Sequence, residues 1–334
     1  MLTDTYKQLL QCWRRGSHPR RLLSAVANDN ARVSGIPTAS RLVRWLLANS
    51  RGQLVVAVFI SVQLLVSSVA TAQQLAICNT PQRPECPGPL GSPAEHEFTF
   101  SRLVFDDNQE AINNLGDRIG YPHWQADCSE SEPHFIAAMQ RLTHIDTNVD
   151  SQSISLLDDT LFDYPMLYLV EAGFASFGED ETNNLREYLD RGGFLLVDDF
   201  HGSYQWQQFA DWIGAVYPDR EIVDLPTDHE IFHVHFDIED FIQIPGLRAL
   251  CLNPGETWEL PISKSPAVLE SHSSRQTPKW RAILDDEGRV MVMINWNMDL
   301  GDAWEHADMQ EYDALYTATA YRLGVNYVIY GMTH

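Results

Sequence analysis

The chain has 334 residues, with 23 lysines and arginines against 46 aspartates and glutamates, a formal charge of −23. Nine of the cations and only two of the carboxylates lie in the first 72 residues, which leaves 14 against 44, a formal −30, for the remainder. Phosphate recognition needs a basic footprint, so nucleic acid is excluded as a partner; clustered carboxylates instead suit solubility or the binding of cations.

Residues 1–52 read as a basic cytoplasmic leader, with Arg41, Arg44 and Arg51 close to its end. Residues 53–72 follow as the core of a signal peptide or a single transmembrane anchor: Gln53 to Val69 is free of charge and precedes Ala70-Thr71-Ala72, a small-x-small cleavage pattern. The basic flank places everything beyond Ala72 on the extracytoplasmic, periplasmic side, held to the membrane through residues 53–70 if uncleaved. Residues 73–96, with Pro81, Pro84, Pro87, Pro89 and Pro93, form an extended linker, and residues 97–334 the globular domain. Cys78, Cys86, Cys128 and Cys251 allow two disulfides in an oxidising compartment, with Cys78–Cys86 the nearest local pair and Cys128–Cys251 the remainder.

Within the domain, Phe98 to Phe105 alternates as a first strand, and Asp106 to Ala126 reads as a polar, turn-like stretch containing an aromatic knot at Tyr121, His123 and Trp124. Pro133 to Leu142 carries apolar residues at helical spacing, Val149 to Leu156 suits a short strand, and Leu161 to Val170 a turn and a buried strand. A capping box at Ser176 and Glu179 opens a helix striped by Leu185, Tyr188 and Leu189, which Gly192-Gly193 ends. Phe194 to Val197 is an unbroken apolar run, the mark of a strand covered on both faces, and Tyr204 to Val216 is the next helix. Strands are then predicted at Glu221–Leu225, Phe232–Ile238, Leu247–Leu252, Trp280–Leu284 and Val290–Asn295, and a helix from Tyr312 to Tyr321. Strand and helix in alternation predict an α/β fold with a doubly wound, mostly parallel sheet.

Polar residues gather after three of the apolar runs. Asp198, Asp199 and His201 form the first group and the candidate acid–base set, since a carboxylate orients and tunes an imidazole. His229 with His233 and His235 forms the second; two histidines two apart on a strand share a face and suit a divalent metal, with His306 as a third ligand. Asn297, Asp299, Asp302, Trp304, Glu305 and His306 lie in the third, an acidic loop whose spacing does not match the calcium loop of an EF-hand. His229, Asn297, Asp299, Asp302 and Trp304 are the expected ligand-binding residues, on the expectation that the three groups converge at one sheet edge. No GxSxG elbow accompanies them, which argues against ordinary serine-hydrolase chemistry.

The phrases FDYPMLYLVEAG, LREYLDRGGFLLVDDFHG, VYPDREIVDLPTDHEIFHVHFDI, GRVMVMINWNMDLGDAWEHAD and AYRLGVNYVIYGMTH closely resemble a bacterial family known as domain of unknown function 4159. The resemblance runs from Glu97 to His334 and implies a fold similar to class I glutamine amidotransferases and the trehalose-utilisation ThuA proteins, a doubly wound, flavodoxin-like sheet flanked by helices. It carries no activity: where the amidotransferases place a catalytic cysteine after a strand, this chain presents Asp198, Asp199 and His201. The expected function is a ligand-binding or assembly module of the cell envelope, for a small molecule or an envelope protein. The alternative is a hydrolase, metal-assisted, acting on a sugar-like substrate.

Overall fold

The computed structural model describes Cys86 and residues 96–117, 119–128, 130–252 and 279–334. The leader, the hydrophobic segment at 53–72, Cys78 and most of the linker lie outside the described residues. Among the described residues no helix is long and apolar enough to cross a membrane.

In chain order the strands are β1 (Ser101–Val104), β2 (Asp106–Asp107), β3 (Gln152–Ser155), β4 (Met166–Leu169), β5 (Ala175–Ser176), β6 (Phe194–Phe200), β7 (Val223–Asp224), β8 (Lys279–Leu284) and β9 (Val290–Trp296). The α-helices are α1 (Gln109–Leu115), α2 (Ser131–Leu142), α3 (Glu179–Asp190), α4 (Gly202–Val216), α5 (Leu247–Leu252), α6 (Leu300–Glu305) and α7 (Ala314–Thr333). The main sheet has the order β3-β1-β4-β6-β9-β8-β7. From β3 to β9 the strands are parallel, whereas β8 and β7 add an antiparallel edge. Helices α1 and α2 lie between β1 and β3 and α3 between β4 and β6, while β9 is entered directly from β8 by an antiparallel hairpin. Numbered by themselves, the parallel strands run 2-1-3-4-5, so the direction of winding reverses between β1 and β4.

Alternation along the strands sends side chains into two cores. Tyr168, Phe194, Leu196 and Met293 face one layer, filled by Phe135 and Met139 of α2, Trp304 of α6 and Leu323 and Tyr327 of α7. Leu167, Leu169, Leu195, Val197 and Ile294 face the other, filled by Leu185 and Leu189 of α3 and Phe209 and Ile213 of α4. Both faces of β6 are therefore dry, and all seven of its residues are buried, as its unbroken apolar run requires.

Several local expectations are corrected. Leu247–Leu252 is a helix, an outcome that a short apolar run does not distinguish from a strand. Phe232–Ile238 is no strand: a three-ten helix at Glu230–Phe232 runs into turns, with the Ile238 amide donating back to the Phe232 carbonyl at 3.0 Å. The acidic stretch after Asp299 opens helix α6, and the stretch after Asp106 contains α1, capped by the Asn108 side chain on the amides of Glu110 and Ala111. The start of α3 lies two residues later than read, and only half of the expected capping box is present: Glu181 accepts from the Gly178 amide at 2.8 Å, while Gly178 has no side chain to accept in return. The disulfide joins Cys86 to Cys128, with Cα atoms 5.4 Å apart, in place of Cys78–Cys86 and Cys128–Cys251: tertiary folding brings Cys86 against the loop before α2.

Candidate functional site

The carboxyl end of β6 is where the chain turns from packing to chemistry. Its pairing with β9 shifts register between Val197 and Phe200, a bulge of the kind that re-aims side chains beside functional sites. Asp198 is fully buried there, and its Oδ2 accepts from the Tyr168 hydroxyl (3.0 Å) and from the amides of Leu300 (2.7 Å) and Gly301 (3.2 Å). A carboxylate on the first amides of α6 complements the positive end of that helix. Asp199 takes a left-handed φ of 51°, and its Oδ1 lies 3.1 Å from His201 Nε2. Both residues are less than a tenth exposed.

The end of β9 supplies the other wall. Asn297, also left-handed at φ 57°, accepts the Gly202 amide on Oδ1 (2.8 Å) and the Gln243 side-chain amide on its carbonyl (2.7 Å), which locks the strand end to α4. Asp299 caps α6 by accepting the Asp302 amide at 2.7 Å.

The third wall is one that sequence reasoning missed. Asp127 lies in the loop before α2, left-handed at φ 61°, and the loop is fixed from beneath by Arg102 of β1. That buried guanidinium donates to the carbonyls of Ala126 (2.6 Å) and Trp124 (3.2 Å) and to Glu132 (2.5 Å). Cys128, the next residue, is tied to Cys86. An arginine inside an otherwise apolar strand was the available signal, since a buried guanidinium demands acceptors. Glu171, left-handed at φ 53° at the end of β4, was missed as well. Among the described residues, Asp127, Glu171, Asp199 and Asn297 are the non-glycine residues with left-handed φ, and Glu171 acts electrostatically on Asp127. Backbone strain of this kind is kept where surrounding structure demands it, and here it surrounds one spot.

Asp127, Asp199 and Asp299 bring one carboxylate oxygen each to within 4.8 Å of one another. A second set, Asp302, Glu305 and His306, meets the same limit. Burial, then the charges of Asp302 and Glu305, holds Asp127 well above the usual carboxylate range, and Arg102 offsets this only in part. Asp299 is raised well above that range by burial and then by Asp199, Asp302 and Asp127. Burial lifts Asp198 to about 7 against the pull of its hydrogen bonds, and lifts Glu305, with Asp302, to about 8. Asp302 goes the other way: burial acts upward, but the bond to His306 outweighs it, and His306 is raised in return. The cluster therefore contains one internal ion pair and several carboxyls that keep protons for want of a countercharge.

The first and third predicted groups meet, and the second does not join them. The His229 ring lies 6.4 Å from that of Tyr330, whose hydroxyl accepts the Val290 amide at the amino end of β9, the opposite end of the sheet. His233 is bonded to the Thr227 carbonyl (2.9 Å) and Asp237 (3.2 Å), and His235 to the Leu142 carbonyl (3.2 Å). Without a strand to align them, these two histidines form no ligand group with His306. Trp304 is fully buried against Phe135 (4.5 Å) and Tyr168 (5.6 Å) and belongs to the core.

The fold and site thus define a mixed α/β protein with a seven-stranded, mostly parallel sheet and an acidic cluster at the carboxyl ends of its central strands. The chain belongs to the family described as Domain of unknown function (DUF4159), whose profile matches residues 116–332, a span that includes every residue of the two ligand sets. No curated protein matches the chain.

Proposed function

We propose that this is an extracytoplasmic, ligand-binding module of the cell envelope whose site takes a hard divalent cation on Asp127, Asp199 and Asp299. The observation that carries the reading is the convergence of those three carboxylate oxygens within 4.8 Å. Two oxygens on opposite sides of a Ca²⁺ stand about 4.6–5.2 Å apart, so all three fit around one ion of that size. The same ion would supply the charge that the raised carboxyls lack, and its binding would release their protons.

The place in the fold supports a site. The 2-1-3-4-5 order of the parallel strands is that of a flavodoxin-like sheet, to which we assign the domain, with similarity to the class I glutamine amidotransferase and ThuA folds. Such sheets hold ligands beyond the carboxyl ends of their strands, next to the reversal of winding, and Glu171 and Asp199 stand at the ends of β4 and β6 there. An envelope location is favoured by the Cys86–Cys128 disulfide and by the hydrophobic segment before the linker. Calorimetric titration of the purified domain with Ca²⁺ and Mg²⁺ tests the cation: one equivalent should bind, and Asp199→Asn should remove it. No heat with either ion in the parent protein would end the reading.

A second reading, a metal-assisted hydrolase of sugar-like substrates, rests on the 3.1 Å contact between Asp199 and His201 beside the cation ligands. An oriented imidazole there would serve as general base. Turnover of chromogenic glycosides or esters that is lost in His201→Ala with the fold intact would favour it over binding alone.

A further inference from the structure

Beside the three-aspartate set lies a donor set of different chemistry. Asp302, Glu305 and His306 occupy positions i, i+3 and i+4 of one helical turn, which places them on a single face. His306 Nε2 stands 3.3 Å from Asp302 Oδ1 and 3.5 Å from Glu305 Oε2. Glu305 is only 2% exposed, and among the described residues its Oε2 accepts no hydrogen bond and has the His306 imidazole as its facing group, an unusual state for a buried polar atom. The other oxygen of Asp302 is already used: Oδ2 accepts the Leu247 amide at 2.6 Å, which fixes the carboxylate with Oδ1 turned toward the imidazole. This is the support that ligating carboxylates characteristically receive.

We propose that Asp302, Glu305 and His306 form a second cation position, one that takes a divalent transition metal of the Zn²⁺ class. Imidazole nitrogen with carboxylate oxygens is the donor set of such ions, whereas the all-oxygen set of Asp127, Asp199 and Asp299 suits Ca²⁺ or Mg²⁺. Three protein ligands leave a coordination position open, the arrangement of zinc sites that bind water or substrate, in contrast to the four closed ligands of structural ones. The two positions are joined through the backbone, since the Asp302 amide donates to Asp299 at 2.7 Å. The inference deepens the reading of the domain as a cation-binding module and separates from it by ion class.

Co²⁺ is the probe, because its visible absorption reports nitrogen and oxygen ligation, with Zn²⁺ competition to confirm the position. The parent protein should bind Co²⁺ with visible bands that Zn²⁺ displaces. His306→Gln should weaken Co²⁺ binding by more than about tenfold, the least that loss of even an outer-shell partner produces. The same variant should still bind one equivalent of Ca²⁺, since none of its three aspartate ligands is removed. Glu305→Gln keeps the His306–Asp302 pair and serves as the second variant should His306→Gln unfold, as judged by its thermal midpoint. Parent-like Co²⁺ binding in the folded variants would overturn the proposal and leave His306 as the internal countercharge of Asp302. Failure of the three-aspartate reading looks different: Ca²⁺ is then not bound, or is bound unaltered by Asp199→Asn, whatever Co²⁺ does.

Discussion

Asp198 accepts the backbone amide of Leu300 at 2.7 Å, a contact that fastens the end of β6 to the start of α6 across 102 residues of sequence. The same oxygen takes the Gly301 amide and the Tyr168 hydroxyl, so a carboxylate that reads as a catalytic candidate is bonded to its own chain on one side. Asp198→Ala should cost about 3 kcal/mol, because two amides at a helix start and the Tyr168 hydroxyl lose their buried acceptor. Asp198→Asn keeps an acceptor of the same shape and should cost about 1 kcal/mol. Urea denaturation of the two variants checks the order.

Stability should fall with rising pH when no divalent cation is present. Asp198 keeps its proton to about 7 and Glu305 to about 8, both through burial first, whereas carboxyls of an unfolded chain titrate near 4. The folded protein thus holds more protons than the unfolded one across that window. Their contribution is fully present below pH about 4 and is lost as the pH passes about 7 and then about 8. Thermal midpoints in chelator, measured from pH 5 to pH 9, should decline, and saturating Ca²⁺ should flatten the curve. A midpoint that rises over the same range contradicts the assignment.

Gly301 has no room for a side chain. A Cβ there would stand 2.3 Å from Asp127 Oδ2 and 2.9 Å from the Tyr168 hydroxyl, so the aspartate must move. Gly301→Ala should cost about 1–3 kcal/mol as an overpacked position and displace one ligand of the three-aspartate set. Calcium affinity should drop more than the midpoint predicts, which calorimetry on the folded variant will show.

Trp304 separates packing from binding. Its ring is fully buried among Phe100, Phe135 and Tyr168, so Trp304→Ala should cost about 3–5 kcal/mol. Trp304→Phe should recover much of that and bind Ca²⁺ like the parent. Selective loss of binding in the phenylalanine variant would return the residue to the ligand.

Removing the disulfide should both destabilise the domain and loosen its site. Closing a loop of 42 residues is worth about 4 kcal/mol by chain entropy. Cys86→Ser with Cys128→Ser should therefore lower the unfolding midpoint and weaken Ca²⁺ binding through the neighbouring Asp127, whereas Arg102 holds the rest of that loop. Equal Ca²⁺ affinity with and without the disulfide would make the bond purely structural.

What the sequence reveals follows from how local each signal is. Phe194–Val197 needs two covering layers whatever surrounds it, and the stripe Phe135, Ile136 and Met139 needs one, so β6, α2 and the layered fold were legible. The polar ends of β6 and β9 were legible too, because their residues follow apolar runs directly. Asp127 was not: it sits in a stretch with no periodicity and reaches the site only through Arg102, Glu132 and Cys86, contacts made across the fold. His233 and His235 misled in the opposite direction. Their alternation with Val234 and Phe236 imitates a strand, but the backbone turns back on itself at Ile238 before any pairing can form.

The Cys86–Cys128 bond also decides how the domain carries tension. A pull applied on the N-terminal side of Cys86 would pass straight through the sulfurs to Cys128, so the chain between them, with β1 and α1, lies outside the path of force. The load would enter the domain one residue from Asp127, at the rim of the acidic cluster.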